Sequence, residues 1–188
     1  TCTNYDRVFV IAIGKCALDG AQALEEILGD LITDGIVLDV RVGPLKKMRS
    51  YAGTHPYPSE TNVSVTREIV KLLRGISERD LVIVLISGGG SSLLCLPFDL
   101  SCERMAEITK TLMHNGASIH ELNTVRKHLS EIQGGHLARL AYPAQVVSLI
   151  FSDVPGNDIS VIASGPTVRD ETSVGDARAV LAKYGITA

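Results

Sequence analysis

Leu81-Val82-Ile83-Val84-Leu85-Ile86-Ser87-Gly88-Gly89-Gly90-Ser91-Ser92 runs from an unbroken apolar stretch straight into glycines and serines. The apolar part reads as a strand buried on both faces, the pattern of a parallel sheet. Three glycines then expose backbone N–H groups where the strand ends, and the serines add hydroxyls. That is the chemistry of an anion or phosphate cradle. Glycine suits it because a Cβ would block close approach and several φ values in such a turn are positive. A plain tight loop is the competing reading of the same residues.

Working outward, Arg7 to Ile13 is a second near-continuous apolar run, ending in Gly14-Lys15. Ala17 to Leu31 places Leu18, Ala21, Leu24, Ile27, Leu28 and Leu31 on one helical face. Asp34-Gly35 reads as a turn and Ile36 to Val42 as a strand closed by Gly43-Pro44. Lys46 to Glu60 reads as a functional loop and Glu60 to Arg74 as a helix. Ser101 is the expected N-cap of a helix ending near Asn115-Gly116. Ile119 to Ile132 and His136 to Ala141 read as helical, Val146 to Phe151 as a strand, and Val174 to Tyr184 as the last helix. Strands alternating with amphipathic helices predict an α/β fold: a three-layer α/β/α sandwich around a mostly parallel sheet of about five or six strands. Ligands bind such sheets beyond the C-terminal strand ends. Gly14-Lys15, Ser87 to Ser92 and Ser152-Asp153 each follow a strand, so all three are expected along one edge.

The chain has 188 residues, enough for one domain with a sizeable core, and 45% of them are hydrophobic. With no Trp and few aromatics, that core must be aliphatic. A net charge of −3 argues against a general nucleic-acid binder. No apolar run has membrane-span length and no signal peptide is visible, so a cytoplasmic location is expected. Cys2, Cys16, Cys95 and Cys102 form no CxxC pair and read as free thiols. Both ends of the sequence suggest one domain of a longer protein.

Lys15, opening a helix after a strand, is a mobile cation suited to phosphate or carboxylate; a solvated surface lysine is the alternative. Gly14-Lys15 is not a Walker loop, since no Gly stands five residues earlier and no Ser or Thr follows. Asn123, Arg126 and Lys127 share a helical face at i, i+3 and i+4, where Arg offers a bidentate fork. A charged exposed face explains the same run. Asp153 and Asp158, on a loop after a strand, can hold Mg2+ or accept a proton from a substrate hydroxyl, or simply cap the loop. His55 could bind substrate or satisfy its own loop.

Ile13-Gly14-Lys15, His55-Pro56 with Pro58, Ser87 to Ser92, Ile119-His120-Glu121-Leu122-Asn123-Thr124-Val125-Arg126-Lys127-His128-Leu129-Ser130, Gly134-Gly135, Ser152-Asp153-Val154 and Val161-Ile162-Ala163-Ser164-Gly165-Pro166-Thr167 occur in this order. Together they resemble the N-terminal domain of class II glycerate 2-kinases, a family also labelled hydroxypyruvate reductase. The resemblance runs from Val8 to Ile186. It implies a Rossmann-like domain of a protein that phosphorylates D-glycerate at its 2-hydroxyl with ATP and Mg2+. It also implies a C-terminal MOFRL domain, to which nothing in residues 1–188 is similar, so the fragment is expected to be inactive alone. Cys16 stands where the family usually has Ala, and Thr54-His55-Pro56-Tyr57 replaces Gly-His-Pro-Val.

On this reading Lys15, Arg126 and Asp153 are catalytic. Ser87, Gly88, Gly89, Gly90, Ser91, Ser92, Asn123, Lys127, His55, Ser164 and Thr167 bind substrate or phosphate, and Asp153 and Asp158 serve a metal. Two other functions stay open: an NAD(P)H-dependent hydroxypyruvate reductase and a non-catalytic acid- or sugar-phosphate-binding module. The first lacks a Gly-x-Gly-x-x-Gly fingerprint in Gly14-Lys15-Cys16-Ala17. Whether the protein forms a homodimer is likewise open.

Overall fold

The computed structural model describes residues 2–154 and 156–187. Its centre is a five-stranded, wholly parallel sheet: β1 (Arg7–Ile13), β2 (Ile32–Asp39), β3 (Arg49–Ala52), β4 (Asp80–Ile86) and β5 (Gln145–Ile150), in the order β3-β2-β1-β4-β5. Helix α1 (Ala17–Leu28) covers one face. There Val8, Val10, Ala12, Leu81, Ile83 and Leu85 meet Ala17, Leu18 and Ala21. The other face carries Phe9, Ile11, Ile13, Val82, Val84 and Ile86 against α2 (Glu60–Leu72) and the short α3 (Gly90–Leu93). Helices α4 (Cys102–His114), α5 (Ile119–His128), α6 (His136–Leu140) and α7 (Val174–Lys183) complete the chain. Ile108, Leu112, Leu122, Val125 and Leu181 join α4, α5 and α7 in a satellite core. Burying each such aliphatic side chain contributes about 1.5–3 kcal/mol.

Five expectations need correcting. Asp34-Gly35 is not a turn but the middle of β2, where Gly35 registers with Val10. A Cβ at Gly35 would lie 2.6 Å from the Val10 carbonyl oxygen, so the glycine serves close approach inside the sheet. The strand accordingly starts at Ile32 and stops at Asp39, short of Val42. The segment 46–60 is not all loop: Arg49–Ala52 adds the edge strand β3, short and polar enough to escape the alternation test. Helix α5 ends at His128, because the chain then pairs with the segment before α4. Phe98 N–H bonds Leu129 O at 2.9 Å and Glu131 N–H bonds Leu96 O at 2.9 Å. Finally, α1 stops at Leu28 and Gly29–Leu31 forms a separate 3-10 turn.

At the base of the sheet Arg7 grips buried Asp80 with two bonds, Nε at 2.9 Å and Nη2 at 2.6 Å. The Ser77 N–H and hydroxyl donate to the same carboxylate at 2.6 and 3.0 Å. The Arg7 hydrogen bond is the main reason that the Asp80 carboxyl is held at about 2, against an ordinary 3.8. A depressed folded pKa means stability that is complete above the unfolded pKa and lost as pH falls through the folded one. Asp80→Asn should therefore destabilise by about 1–3 kcal/mol at pH 7. Urea unfolding should show the gap to wild type closing as pH drops from 4 towards 2.

Candidate active site

Strand order reverses between β1 and β4, and the loops leaving these two strands lie side by side. Ile13 and Ile86 are register partners at the C-terminal ends. Ser87 N–H bonds Ile13 O at 2.9 Å, and Lys15 N–H bonds Gly88 O at 2.9 Å. The buried Ser87 hydroxyl accepts Cys16 N–H at 3.1 Å, so Ser87 stitches the two turns together. Gly14 has φ +119°, and a Cβ there would overlap Ser87 Oγ. A crevice at such a reversal is where open α/β sheets bind ligands.

Three side chains close on the glycine loop. A Cβ at Gly88 would overlap the Asp153 carboxylate. One at Gly89 (φ +85°) would crowd His55 Cδ2 at 3.0 Å and Lys15 Cγ at 3.2 Å. Asp153, His55 and Lys15 thus pack where a substituted backbone would exclude them. Among the described residues the N–H groups of Gly88, Gly89 and Ser91 donate no hydrogen bond, whereas Gly90 N–H bonds Ser87 O and Ser92 N–H bonds Gly89 O, each at 3.2 Å. Free N–H groups beside an exposed ammonium favour an anion.

Burial, then the Lys15 ammonium, hold the His55 pKa below its ordinary value, opposed in part by Asp153. The shift favours the neutral imidazole. Lys15→Met should raise the His55 pKa and Asp153→Asn should lower it further, each followed by NMR titration of the imidazole Cε1–H. A His55 pKa indifferent to both changes would contradict the clustering.

Two amides that sequence patterns do not single out build the frame behind the loop. Asn62 Nδ2 donates to Thr54 O and Ser92 O, each at 2.9 Å, and its Oδ1 accepts Thr54 N–H at 2.8 Å. Ser92 Oγ donates to Pro56 O at 2.6 Å. The loop bearing His55 is thereby tied to α3. Gln133 Nε2 donates to Ser91 O and Leu94 O, each at 2.9 Å, and holds the other side of α3.

Arg126 reaches this frame from α5. It lines a cavity of about 10 Å³ with Ser91, Ser92, Ser130 and Gln133, room for about one water. Burial lowers its pKa to about 10, with the Cys95 thiol the only opposing influence and no carboxylate against it among the described residues. The guanidinium stays charged at neutral pH, in a place that supplies no counterion. Cys95 itself is inert, its thiol pushed up to about 12 by burial, and all four cysteines are free.

The shared face expected for Asn123, Arg126 and Lys127 splits three ways. Asn123 is buried and its Oδ1 accepts the Ser164 hydroxyl at 2.7 Å. Lys127 is buried too and its Nζ pairs with Asp170 at 3.3 Å, so its charge is already matched. Arg126 alone of the three faces the cavity. Thr167 accepts the Ser148 hydroxyl at 2.8 Å, and Ser148 registers with Val84 in mid-strand, away from the C-terminal edge. Asp158 accepts the Ser160 N–H and hydroxyl at 2.9 and 2.7 Å, which makes it a loop cap. No three His, Cys, Asp or Glu side chains among the described residues come together as a metal cage.

Ser164 has no exposed surface. It lies in a run of left-handed residues, Ala163 (φ 52°), Ser164 (φ 59°) and Gly165 (φ 57°). Left-handed non-glycine residues cost about 1–3 kcal/mol each and persist only where the surroundings over-determine them.

The family model described as "Domain of unknown function (DUF4147)" matches residues 1–188. A D-glycerate 2-kinase from Thermotoga maritima is 44% identical over 187 residues, covering 97% of this chain and 45% of that protein. A protein from Agrobacterium vitis with the provisional name hydroxypyruvate reductase is 45% identical over 184 residues, covering 96% of this chain and 42% of its own length. The crystal structure of a glycerate kinase from Thermotoga maritima superimposes with a TM-score of 0.94 at 44% identity, over 99% of this chain and 46% of the other. The chain thus spans about half the length of the curated relatives it matches.

Proposed function

We infer that this chain, which belongs to the DUF4147 family, is the N-terminal part of an enzyme that transfers the γ-phosphoryl group of ATP to the 2-hydroxyl of D-glycerate. The observation that carries the reading is the gathering of Lys15, Asp153 and the free N–H groups of Gly88, Gly89 and Ser91 around one loop at the sheet's reversal. Phosphoryl transfer asks a protein mainly to position phosphates, neutralise charge and orient the attacking hydroxyl. The free N–H groups and Lys15 bind phosphate oxygens. Arg126, a cation with no counterion among the described residues, takes the glycerate carboxylate or the transferred group. Asp153 accepts the hydroxyl proton as the oxygen attacks phosphorus and ADP departs.

The donor set suits a Mg2+ that keeps most of its waters and phosphate ligands, since Mg2+ commonly takes only one or two carboxylates from a protein. Asp153 would hold the ion as the alternative to serving as base, and the ion would offset the negative charge of the ATP phosphates. Among the described residues no helix is long and apolar enough to cross a membrane. Four free thiols favour a reducing, cytoplasmic setting.

The name of the Agrobacterium relative favours a second reading, reduction of hydroxypyruvate. The first βα turn, Gly14-Lys15-Cys16-Ala17, has no dinucleotide fingerprint and carries a lysine over the glycine loop. Calorimetric titration of the full-length protein with ATP–Mg and with NADPH tests both. ATP–Mg binding is expected, and NADPH binding without ATP binding would overturn the kinase reading. Residues 1–188 alone should fold yet show no glycerate kinase turnover, because a second domain is needed to close over the phosphates. Robust turnover by the fragment would contradict that division of labour.

A further inference from the structure

Ser164 cannot touch a ligand as the structure stands, since its surface is fully covered. Its hydroxyl instead spans Ser91 Oγ at 3.0 Å and Asn123 Oδ1 at 2.7 Å. One partner belongs to the glycine–serine loop. The other sits on α5, three residues before Arg126. The backbone around Ser164 is pinned from behind: Gly134 N–H donates to Ser164 O at 3.0 Å and Gly135 N–H to Gly165 O at 2.8 Å. From the front, Gly90 presses on the neighbouring Ala163 so closely that a Cβ would stand 2.6 Å from the alanine methyl. Ser91 is held at its other end as well, where Gln133 Nε2 takes its carbonyl oxygen.

We propose that Ser164 is a positioning residue, whose hydroxyl fixes the Ser91 side chain and keeps the Gly88–Ser92 loop in the shape that receives an ATP phosphate. The proposal rests on the kinase reading above and names the device that sets its phosphate loop. Backbone shape alone does not account for a serine here. At φ +59° a glycine would relax the chain, and the adjacent left-handed position is a glycine already. What serine adds is the bridge between the loop and α5.

That contrast makes the test. In the full-length protein, Ser164→Gly removes the hydroxyl while relieving strain, and Ser164→Ala removes it while keeping strain. Both should weaken ATP–Mg binding about tenfold, the scale expected when one buried hydrogen bond is lost. KM for D-glycerate should rise less than ATP affinity falls, since Ser164 bonds Ser91 directly and reaches Arg126 only through Asn123 on α5. Ser91→Ala should weaken ATP binding comparably, and Ser91→Ala/Ser164→Gly no more than Ser91→Ala alone, because the second residue acts through the first. Wild-type affinity in Ser164→Gly, whatever Ser164→Ala does, would show that the bridge to Ser91 does not shape the loop and overturn the proposal. Multiplying losses in the double variant would overturn it too. ATP binding without glycerate phosphorylation would contradict the substrate reading, and the affinity series would still decide the role of Ser164. A wild-type protein that binds no ATP would overturn both.

Discussion

Arg126→Ala in the full-length protein should lower kcat/KM for D-glycerate about a hundred- to a thousand-fold without unfolding it. Charge stabilisation of this type is worth about 3–4 kcal/mol. The case rests on a mismatch between charge and surroundings. Desolvation brings the Arg126 pKa down to about 10, and no carboxylate compensates among the described residues. A partly buried cation left unpaired contributes little to stability, so removing it should change the melting temperature little. Lys127→Ala should behave in the opposite way. Its loss strands the partly buried Asp170, whose carboxyl is held below its ordinary value by Thr172 and Lys127 against the effect of burial. That variant should lose stability and retain more of its catalysis. Arg126→Lys should recover only part of the activity, because an ammonium lacks the bidentate fork. Near wild-type kcat/KM in a folded Arg126→Ala protein would remove Arg126 from the site.

Gly88→Ala should cost as much as losing Asp153 itself, about a hundred- to ten-thousand-fold in kcat, the range for a positioned proton acceptor. The new methyl would occupy the space of the Asp153 carboxylate, which is exposed and free to swing aside. Stability should barely change, since the displaced group is the mobile end of a surface side chain. Asp153→Ala and the double variant Gly88→Ala/Asp153→Ala should be about equally impaired, because both lesions remove the same group. Full activity in Gly88→Ala would show that Asp153 does not work from its place against this loop.

Much of this site was legible because one rule of parallel sheets sorts the loops. Lys15, the Gly88–Ser92 loop and Asp153 each follow a strand, and the strands of such a sheet all end at the same edge. The apolar runs at 7–13 and 81–86 could hardly be anything but interior strands. Glycine misled at position 35, where it permits contact with Val10 and Met48 and makes no turn. Helical spacing placed Asn123, Arg126 and Lys127 on one stripe but could not say what packs against it. Their partners, Ser164 and Asp170, lie 41 and 43 residues further along. Asn62 and Gln133 escaped for the same reason. Each is a single amide bonded to carbonyls 30 and 39 residues away, and no local pattern records such a bond.

The most direct test is to incubate the full-length protein with ATP, Mg2+ and D-glycerate and identify the product by phosphorus–proton correlation NMR. The site described here predicts 2-phosphoglycerate and ADP in equal amounts, with Lys15→Ala slowing both together. Phosphate on the 3-hydroxyl, ATP hydrolysis without transfer, or oxidation of NADPH by hydroxypyruvate in its place would contradict it.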